Sequence, residues 1–285
     1  IPFANPLMGL APWANQDNIL HPHTLVYADL SLRNFEPQEG LYDFATFEAS
    51  NQLCRWRLEG KRVVFRFVTD FPGDENHIDI PDWLFEKTGG DGTFYDNEYG
   101  RGFIPDYANP NFMYYHHRAI KILGEHYGGD DFFAFIELGS LGHWGEWHTY
   151  DMQLFPEEDV RNKYVLDYVE AFPDTHLLMR RPFKIADDLN FGLYNDMTGN
   201  SKATTEWLDW IDKGGSFLPQ ENGGLVAMSN AWELAPIGGE QAPTVKNAEM
   251  YASELASTLL LLKQSHTTFI GPGGPYDVPL DSPLQ

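Results

Sequence analysis

Short runs of bulky apolar residues alternate with longer stretches of helical periodicity along most of the chain. Strands are predicted where β-branched and aromatic residues cluster, and helices where apolar residues recur three and four positions apart. The predicted strands are residues 25–30, 62–68, 132–136, 175–179, 191–195, the short segment 238–240, and 267–270. The predicted helices are residues 44–59, 112–127, 157–172, 204–211 and 245–264. This alternation is typical of parallel βαβ units.

The alternation continues to residue 270 and therefore favours an α/β fold of the (β/α)₈ TIM-barrel type, in one domain over residues 1–285. A doubly wound sheet fits less well, and no Gly-x-Gly-x-x-Gly lies between a strand and a helix. Residues 271–285 are rich in Pro and Gly, so we expect the last helix to be missing or truncated. Residues 70–111 read as one long loop, which is usually functional.

The composition limits the classes of molecule that the protein is expected to bind. The formal net charge is −23, from 42 acidic and 19 basic residues, which disfavours nucleic acid and acidic membrane surfaces and favours a neutral or cationic substrate. Aromatic residues make up 15% of the chain, and their flat faces suit carbohydrate. The single cysteine, Cys54, excludes an intrachain disulfide and a cysteine-based metal site. We expect a carbohydrate substrate and no cofactor.

The printed sequence opens at Ile1-Pro2-Phe3, which suits a processed mature end or a trimmed chain. It shows neither a basic segment followed by an apolar one nor a run of the ~18–20 apolar residues that a membrane helix needs. We expect a bacterial protein that is secreted or held at the cell surface, with the cytoplasm as the alternative.

The most informative segment is residues 137–149, which read Glu-Leu-Gly-Ser-Leu-Gly-His-Trp-Gly-Glu-Trp-His-Thr directly after a predicted strand. In a β/α barrel the carboxyl ends of the strands carry the active site. Trp144 and Trp147 frame Glu146, and an apolar setting raises a carboxyl pKa toward the range of a general acid. The alternative is a buried Trp/His cluster in which Glu146 forms a salt bridge.

A second signal lies upstream. Residues 31–44 read Ser-Leu-Arg-Asn-Phe-Glu-Pro-Gln-Glu-Gly-Leu-Tyr-Asp-Phe, a helix and residues 60–64 follow, and then comes Pro81-Asp82-Trp83-Leu84. This order resembles the β2–α2–β3 stretch of barrel glycoside hydrolases of the β-galactosidase and cellulase superfamily. The resemblance implies a glycosidase barrel with Trp83 in a loop above its mouth.

Residues 137–146 resemble the strand-4 region of β-amylase-type hydrolases, in which Glu-x-Gly precedes a Gly-Glu that supplies the acid. The two glutamates are nine positions apart here, one more than that family implies. The chain resembles an uncharacterised bacterial family still more closely. This resemblance rests on Arg66 and on residues 105–107, 139–149 and 238–240 together. Its members pair such a barrel with a domain of unknown function. The Asn-Glu pair usual at the end of strand 4 is absent, which leaves Glu137 and Glu146 open as the acid.

Glycoside hydrolysis needs two carboxyl groups that flank the bond. We predict Glu146 as the acid and Glu240 as the nucleophile or base. Glu240 lies in the predicted segment 238–240 and precedes a helix. If residues 25–30 are counted as barrel strand 2, this segment is strand 7, from which the nucleophile of the resembling superfamily also comes. Alternatively, Glu240 is an acidic residue at a helix N-terminus. Asp196, directly after the predicted strand 191–195, is the rival base.

Glu137 is the alternative acid, although a structural ion pair with Arg66 or Arg180 fits it better. Polar and aromatic residues near strand ends are the candidates for substrate binding, and each of them alone is more often structural. They are Asp29, Arg66, Asp70, Trp83, His143, Trp144, Trp147, His148, Arg180, Asn195, Asp196 and His266.

Metal binding is a weaker hypothesis. His143 and His148 are five positions apart in a Gly-rich segment, whereas two imidazoles on one helix face need a spacing of four. His116-His117 and the acidic residues 91–98 lack a recognised ligand order. We therefore expect no metal. The sequence predicts a glycoside hydrolase that acts on a neutral oligo- or polysaccharide, with a non-catalytic carbohydrate-binding barrel and a metal-dependent hydrolase as alternatives.

Overall fold

A computed structural model describes residues 5–17, 19–217, 224–242 and 248–273. Its strands are Gly9–Leu10 (β1), Leu25–Ser31 (β2), Arg62–Val68 (β3), Gly92–Asn97 (β4), Gly100–Pro105 (β5), Phe133–Glu137 (β6), His176–Met179 (β7), Gly192–Thr198 (β8), Ile237–Gln241 (β9) and Phe269–Ile270 (β10). Its α-helices are Leu32–Phe35 (α1), Phe44–Ser50 (α2), Leu53–Leu58 (α3), Asp82–Lys87 (α4), Pro110–Tyr127 (α5), Glu158–Ala171 (α6), Lys184–Asp188 (α7), Ser201–Lys213 (α8) and Ala248–Ser265 (α9). Short 3₁₀ helices cover His143–Gly145, Met152–Leu154 and Ala231–Glu233.

Six parallel strands form the central sheet in the order β2-β3-β6-β7-β8-β9, and β1 pairs in parallel with β10. The Thr268 N–H donates to the Ile237 carbonyl at 2.6 Å, which ties β10 to β9. The Tyr27 N–H donates to the Pro12 carbonyl at 2.8 Å, which ties the segment after β1 to β2. The result is a curled parallel sheet with helices outside it, a partial TIM-barrel-like α/β fold.

The prediction of β3 is confirmed, and six of its seven residues are buried. Such a continuous apolar run is typical of a parallel strand that is covered on both faces. Val63, Phe65 and Phe67 belong to the larger core cluster, together with helix residues such as Trp56 and Phe112. Val64 belongs to a second, smaller cluster. Its other members are Ala11, Leu25, Tyr27, Phe135, Leu178, Tyr194 and Phe269. Because side chains alternate along a strand, Arg66 shares the face of Val64.

The predicted helix over residues 44–59 is wrong in its continuity, because it is two helices, α2 and α3. Gln52 lies between them with φ 54°, in the left-handed region. The Asn51 side chain donates to the Phe47 carbonyl at 3.1 Å. Short polar side chains compete in this way with the helical ladder, which explains the break.

The predicted loop over residues 70–111 is also corrected, because it contains α4 and the antiparallel hairpin β4–β5. The hairpin is anchored to the end of β3, since the Tyr95 hydroxyl donates to Asp70 Oδ1 at 2.7 Å. The start of the predicted helix 245–264 and most of the segment 271–285 lie outside the described residues. Within the described ranges, none of the helices has both the length and the apolarity required to cross a bilayer.

Candidate active site

A single buried guanidinium gathers three carboxyl groups. Arg66 is 4% exposed, and its Nη2 and Nε donate to Glu137 Oε2 at 2.6 and 3.1 Å. Nη2 also forms an ion pair with Glu240, and Nη1 lies 3.7 Å from Glu146 Oε1. Glu137 ends β6, Glu240 lies in β9 and Glu146 lies in the loop after β6. They can meet because the carboxyl ends of parallel strands lie at the same edge of the sheet. We call these four residues the Arg66 group.

Glu137 is the most enclosed member of the Arg66 group. It is fully buried, and the Tyr27 hydroxyl donates to its Oε2 at 2.8 Å. Burial raises its pKa, and the Arg66 charge opposes that rise. Strand register places Arg66 and Glu137 side by side on β3 and β6. Of the two partners considered for Glu137 from the sequence, the structure pairs it with Arg66.

Glu146 also meets a second ion pair, between Arg180 and Asp196. Burial opposes ionisation of Asp196, but Arg180 outweighs it and holds the pKa of that carboxyl well below its usual range. Burial together with the Asp196 charge raises the pKa of Glu146 well above its ordinary value. Two neighbouring carboxyls with pKa values pushed apart are typical of acid–base sites.

Glu240 is the third carboxyl that burial affects. Burial raises its pKa to about 8, although the Arg66 charge opposes the rise. Nearby Asn195 is buried, and its Oδ1 accepts from the Met197 N–H at 3.2 Å. The Asn195 Nδ2 has no partner among the described residues. Neighbouring strands β8 and β9 therefore carry an amide donor without a partner among the described residues and a carboxyl with a raised pKa.

The loop after β6 reaches the Arg66 group because its glycines permit close backbone contact. A Cβ at Gly139 would clash with the Phe67 carbonyl, and one at Gly142 would clash with the backbone of His148. Several non-glycine residues of the loop also have left-handed φ angles. They are Ser140 at 70°, Trp144 at 52° and Trp147 at 59°. Strained backbone of this kind concentrates at functional sites.

We expect Gly139→Ala to destabilise the fold by about 1–3 kcal/mol, because the added methyl meets backbone that cannot move aside. Urea unfolding measures this change. Gly129→Ala is the matched control, since nothing lies within 4 Å of its added Cβ, and its effect should stay within about 1 kcal/mol. Equal unfolding midpoints for the two variants would contradict the close contact.

Asp70 orients a histidine beside the site. His143 Nδ1 donates to Asp70 Oδ2 at 2.6 Å, and both side chains are fully buried. The other ring nitrogen, Nε2, has no partner among the described residues. The Trp144 N–H donates to the Asp70 carbonyl at 2.8 Å, which joins the loop to the end of β3.

The three tryptophans proposed from the sequence lie in different surroundings. Trp144 is half-buried, and its carbonyl accepts from Arg66 Nη1 at 3.3 Å. Trp147 is 1% exposed and donates to the Leu138 carbonyl at 2.6 Å, inside the core. Trp83 donates to the Glu36 carbonyl at 2.9 Å, near α1, which places it outside the Arg66 group.

The remaining candidates are also spread out. Asp29 sits in register with Arg66 on β2, and burial raises its pKa. His148 Nε2 lies 3.3 Å from Glu146 Oε2, and burial lowers the pKa of this imidazole to about 3, so it is neutral. His266 stacks on Trp232, with ring centroids 3.8 Å apart.

Three residues of the site were missed from the sequence. Tyr27 binds Glu137, and the Tyr194 hydroxyl donates to the Gly145 carbonyl at 3.0 Å. Arg181 Nη1 donates to the Glu146 carbonyl at 2.5 Å, and burial lowers the pKa of its guanidinium to about 9. Strand alternation places Tyr27 on the face of Asp29, which is the signal that could have found it.

Glu146, His148 and Asp196 each present a possible ligand atom, and these atoms lie within 4.8 Å of one another. Arg66 pairs with Glu146 and Arg180 pairs with Asp196. Arg181 lies beside them, on the Glu146 carbonyl. Like charges repel strongly in a buried setting, so the guanidinium groups oppose a divalent cation here. The arrangement suits proton transfer better than metal binding.

No protein-family model matches the chain, and no curated protein sequence matches it. Among solved structures, it is similar to endo-glycoceramidase II from Rhodococcus sp. as a lactosyl-enzyme intermediate, with TM-score 0.57 and 13% identity over 94% of this chain and 74% of that one. It is also similar to an exo-β-1,4-mannosidase from Opitutaceae bacterium strain TAV5, with TM-score 0.52 and 10% identity over 86% of this chain and 44% of that one. The chain thus has the fold of these two glycoside hydrolases.

Proposed function

We propose that the protein is a glycoside hydrolase of the barrel superfamily that cleaves an oligo- or polysaccharide. We propose further that its strands close into one (β/α)₈ barrel. Hydrogen bonds at both edges of the six-stranded sheet support closure, and the Ala11 N–H donation to the Ile270 carbonyl at 2.9 Å joins the two short strands. The observation that carries the function is the contact of Glu146 and Glu240 with one buried guanidinium.

Glu146 is the proton donor in this proposal. Its side chain is 14% exposed, so a reacting group can reach it, yet burial and Asp196 keep its proton in place. Arg180 pairs with Asp196 and keeps it ionised beside Glu146. Glu146 then passes its proton to the glycosidic oxygen as the bond to the anomeric carbon breaks.

Glu240 attacks the anomeric carbon or removes a proton from the attacking water. Both roles require the ionised carboxylate, and Arg66 favours that form through its ion pair. In the first role the sugar forms a covalent bond to Glu240, which water later breaks, and the anomeric configuration is retained. In the second role it is inverted, so the first product anomer, seen by proton NMR, distinguishes the two.

A binding barrel without catalysis would keep the aromatic residues but would not need two carboxyls with raised pKa values. The two solved structures named above share the fold, and one of them was captured as a glycosyl-enzyme intermediate. The charge of the whole chain favours a neutral saccharide.

The pH profile of hydrolysis tests this proposal. We expect kcat/KM on unactivated alkyl glycosides to rise with pH as Glu240 loses its proton near pH 8, and to fall at higher pH as Glu146 loses its own. Both limbs describe the coupled pair rather than a single residue. The measurement is initial rates over pH 4–11 for a panel of α- and β-glycosides.

Glu158→Gln, a change to an exposed carboxylate at the start of α6, is the control, and its profile should superimpose on that of the wild type. An acidic limb near the ordinary glutamate pKa of about 4.3 would contradict the role of Glu240. Failure to hydrolyse any glycoside of the panel would overturn the proposed function.

A further inference from the structure

Three aromatic rings meet at the loop that carries Glu146, and two of them, Trp144 and Tyr150, belong to that loop. The Tyr99 ring centroid lies 5.4 Å from that of Trp144 and 5.4 Å from that of Tyr150. Tyr99 is 43% exposed and Tyr150 49% exposed, whereas Trp144 is half-buried. We call these three residues the aromatic platform. The ring planes of Tyr99 and Tyr150 are 89° apart, so these rings meet edge to face, and the planes of Tyr99 and Trp144 are tilted by 58°.

The aromatic platform is linked to Glu146, the proposed acid, through His148. The Tyr99 ring also contacts His148, with centroids 5.6 Å apart, and His148 Nε2 lies 3.3 Å from Glu146 Oε2. Tyr99 reaches this place from the turn of the hairpin β4–β5, and Tyr150 from the end of the loop after β6. The platform is therefore separated from Glu146 by one side chain, His148.

The hairpin holds Tyr99 in a fixed position. The Tyr99 N–H donates to Asn97 Oδ1 at 2.8 Å, which closes the turn. Arg101 and Gly73 exchange two backbone hydrogen bonds at 2.8 and 2.9 Å, and a Cβ at Gly100, where φ is 132°, would lie 2.7 Å from the Gly73 carbonyl. A ligand that stacks on Tyr99 thus finds it preorganised, which lowers the entropy cost of binding.

We propose that the aromatic platform is a subsite for the pyranose rings on the leaving-group side of the scissile bond, so that the substrate is a saccharide chain that extends past Glu146. This inference rests on the proposed function of Glu146. A sugar ring has an apolar C–H face that packs on aromatic rings and hydroxyls that form hydrogen bonds. The platform supplies the aromatic rings, and its two phenol hydroxyls and the neighbouring His148 supply the polar groups.

The test compares binding of cellohexaose, mannohexaose and xylohexaose to Glu146→Gln by isothermal titration calorimetry. Adding Tyr99→Ala or Tyr150→Ala should weaken the tightest of these interactions about tenfold. Tyr99→Phe keeps the ring and should recover most of the affinity. Phe94→Ala is the matched control, because Phe94 is 56% exposed on the same hairpin but contacts Phe85 and Phe103 instead.

Kinetics separate the subsite from a structural role. In the otherwise wild-type protein, Tyr99→Ala should reduce kcat/KM at least tenfold more on the hexasaccharide than on a 4-nitrophenyl glycoside, which has no sugar in its leaving group. Equal losses on both substrates would overturn the subsite. Unchanged affinity in both alanine variants, or no binding of any hexasaccharide, would also overturn it. Binding that depends on Tyr99 without hydrolysis would support the platform and refute the hydrolase.

Discussion

Glu146→Gln should lower kcat roughly 10²–10⁴-fold on unactivated glycosides, because the amide keeps the shape of the carboxyl but has no proton to give. Glycosides with good leaving groups, such as 2,4-dinitrophenolate, need no protonation and should lose much less in the bond-breaking step. Single-turnover rates on both substrate types measure the difference. The expectation rests on the raised pKa of Glu146, which burial and Asp196 produce.

Equal and modest losses on both substrate types would mean that Glu146 only supports the fold. Glu137 then becomes the candidate acid, and the same two substrates should be run on Glu137→Gln. Glu137 is fully buried between Arg66 and Tyr27, so its replacement should lower stability before it lowers catalysis. Unfolding curves of the two variants therefore accompany the rates.

Arg66→Ala should destabilise the protein by about 3–5 kcal/mol, since it leaves Glu137 buried without its cation. The same change frees Glu240 from its ion pair and removes the donor to the Trp144 carbonyl, so activity should fall as well. Urea unfolding followed by tryptophan fluorescence gives the free energy of unfolding.

Arg101→Ala is the matched control for this change. Arg101 forms an ion pair with Asp96 at 3.0 Å, but their side chains are 46% and 69% exposed, and such pairs contribute about 0–1 kcal/mol. A loss for Arg66→Ala no larger than that for Arg101→Ala would contradict the view that Glu137 depends on Arg66 as its buried counter-charge.

The hydrophobic pattern of the sequence predicts some elements of the fold correctly and fails for others. The bulky run 62–68 predicts β3 correctly, because a strand covered on both faces needs apolar residues almost throughout. The helix over 44–59 could not be divided from the pattern alone, since its apolar spacing continues through the break at Gln52. The hairpin β4–β5 was missed because its glycines and aspartates are equally typical of a loop.

The sequence by itself determined the parallel βαβ order and the positions of Glu137 and Glu240 along the strands, because hydrophobic periodicity and strand order are local properties. Only the tertiary structure decided which side chains meet. Arg66 and Glu240 are 174 positions apart, yet they share an ion pair because β3 and β9 end at the same edge of the curled sheet. It also placed Asp196 near Glu146, put Trp147 inside the core and brought Tyr99 into contact with His148. Those distances depend on strand register and on loop paths, which no local pattern of residues encodes.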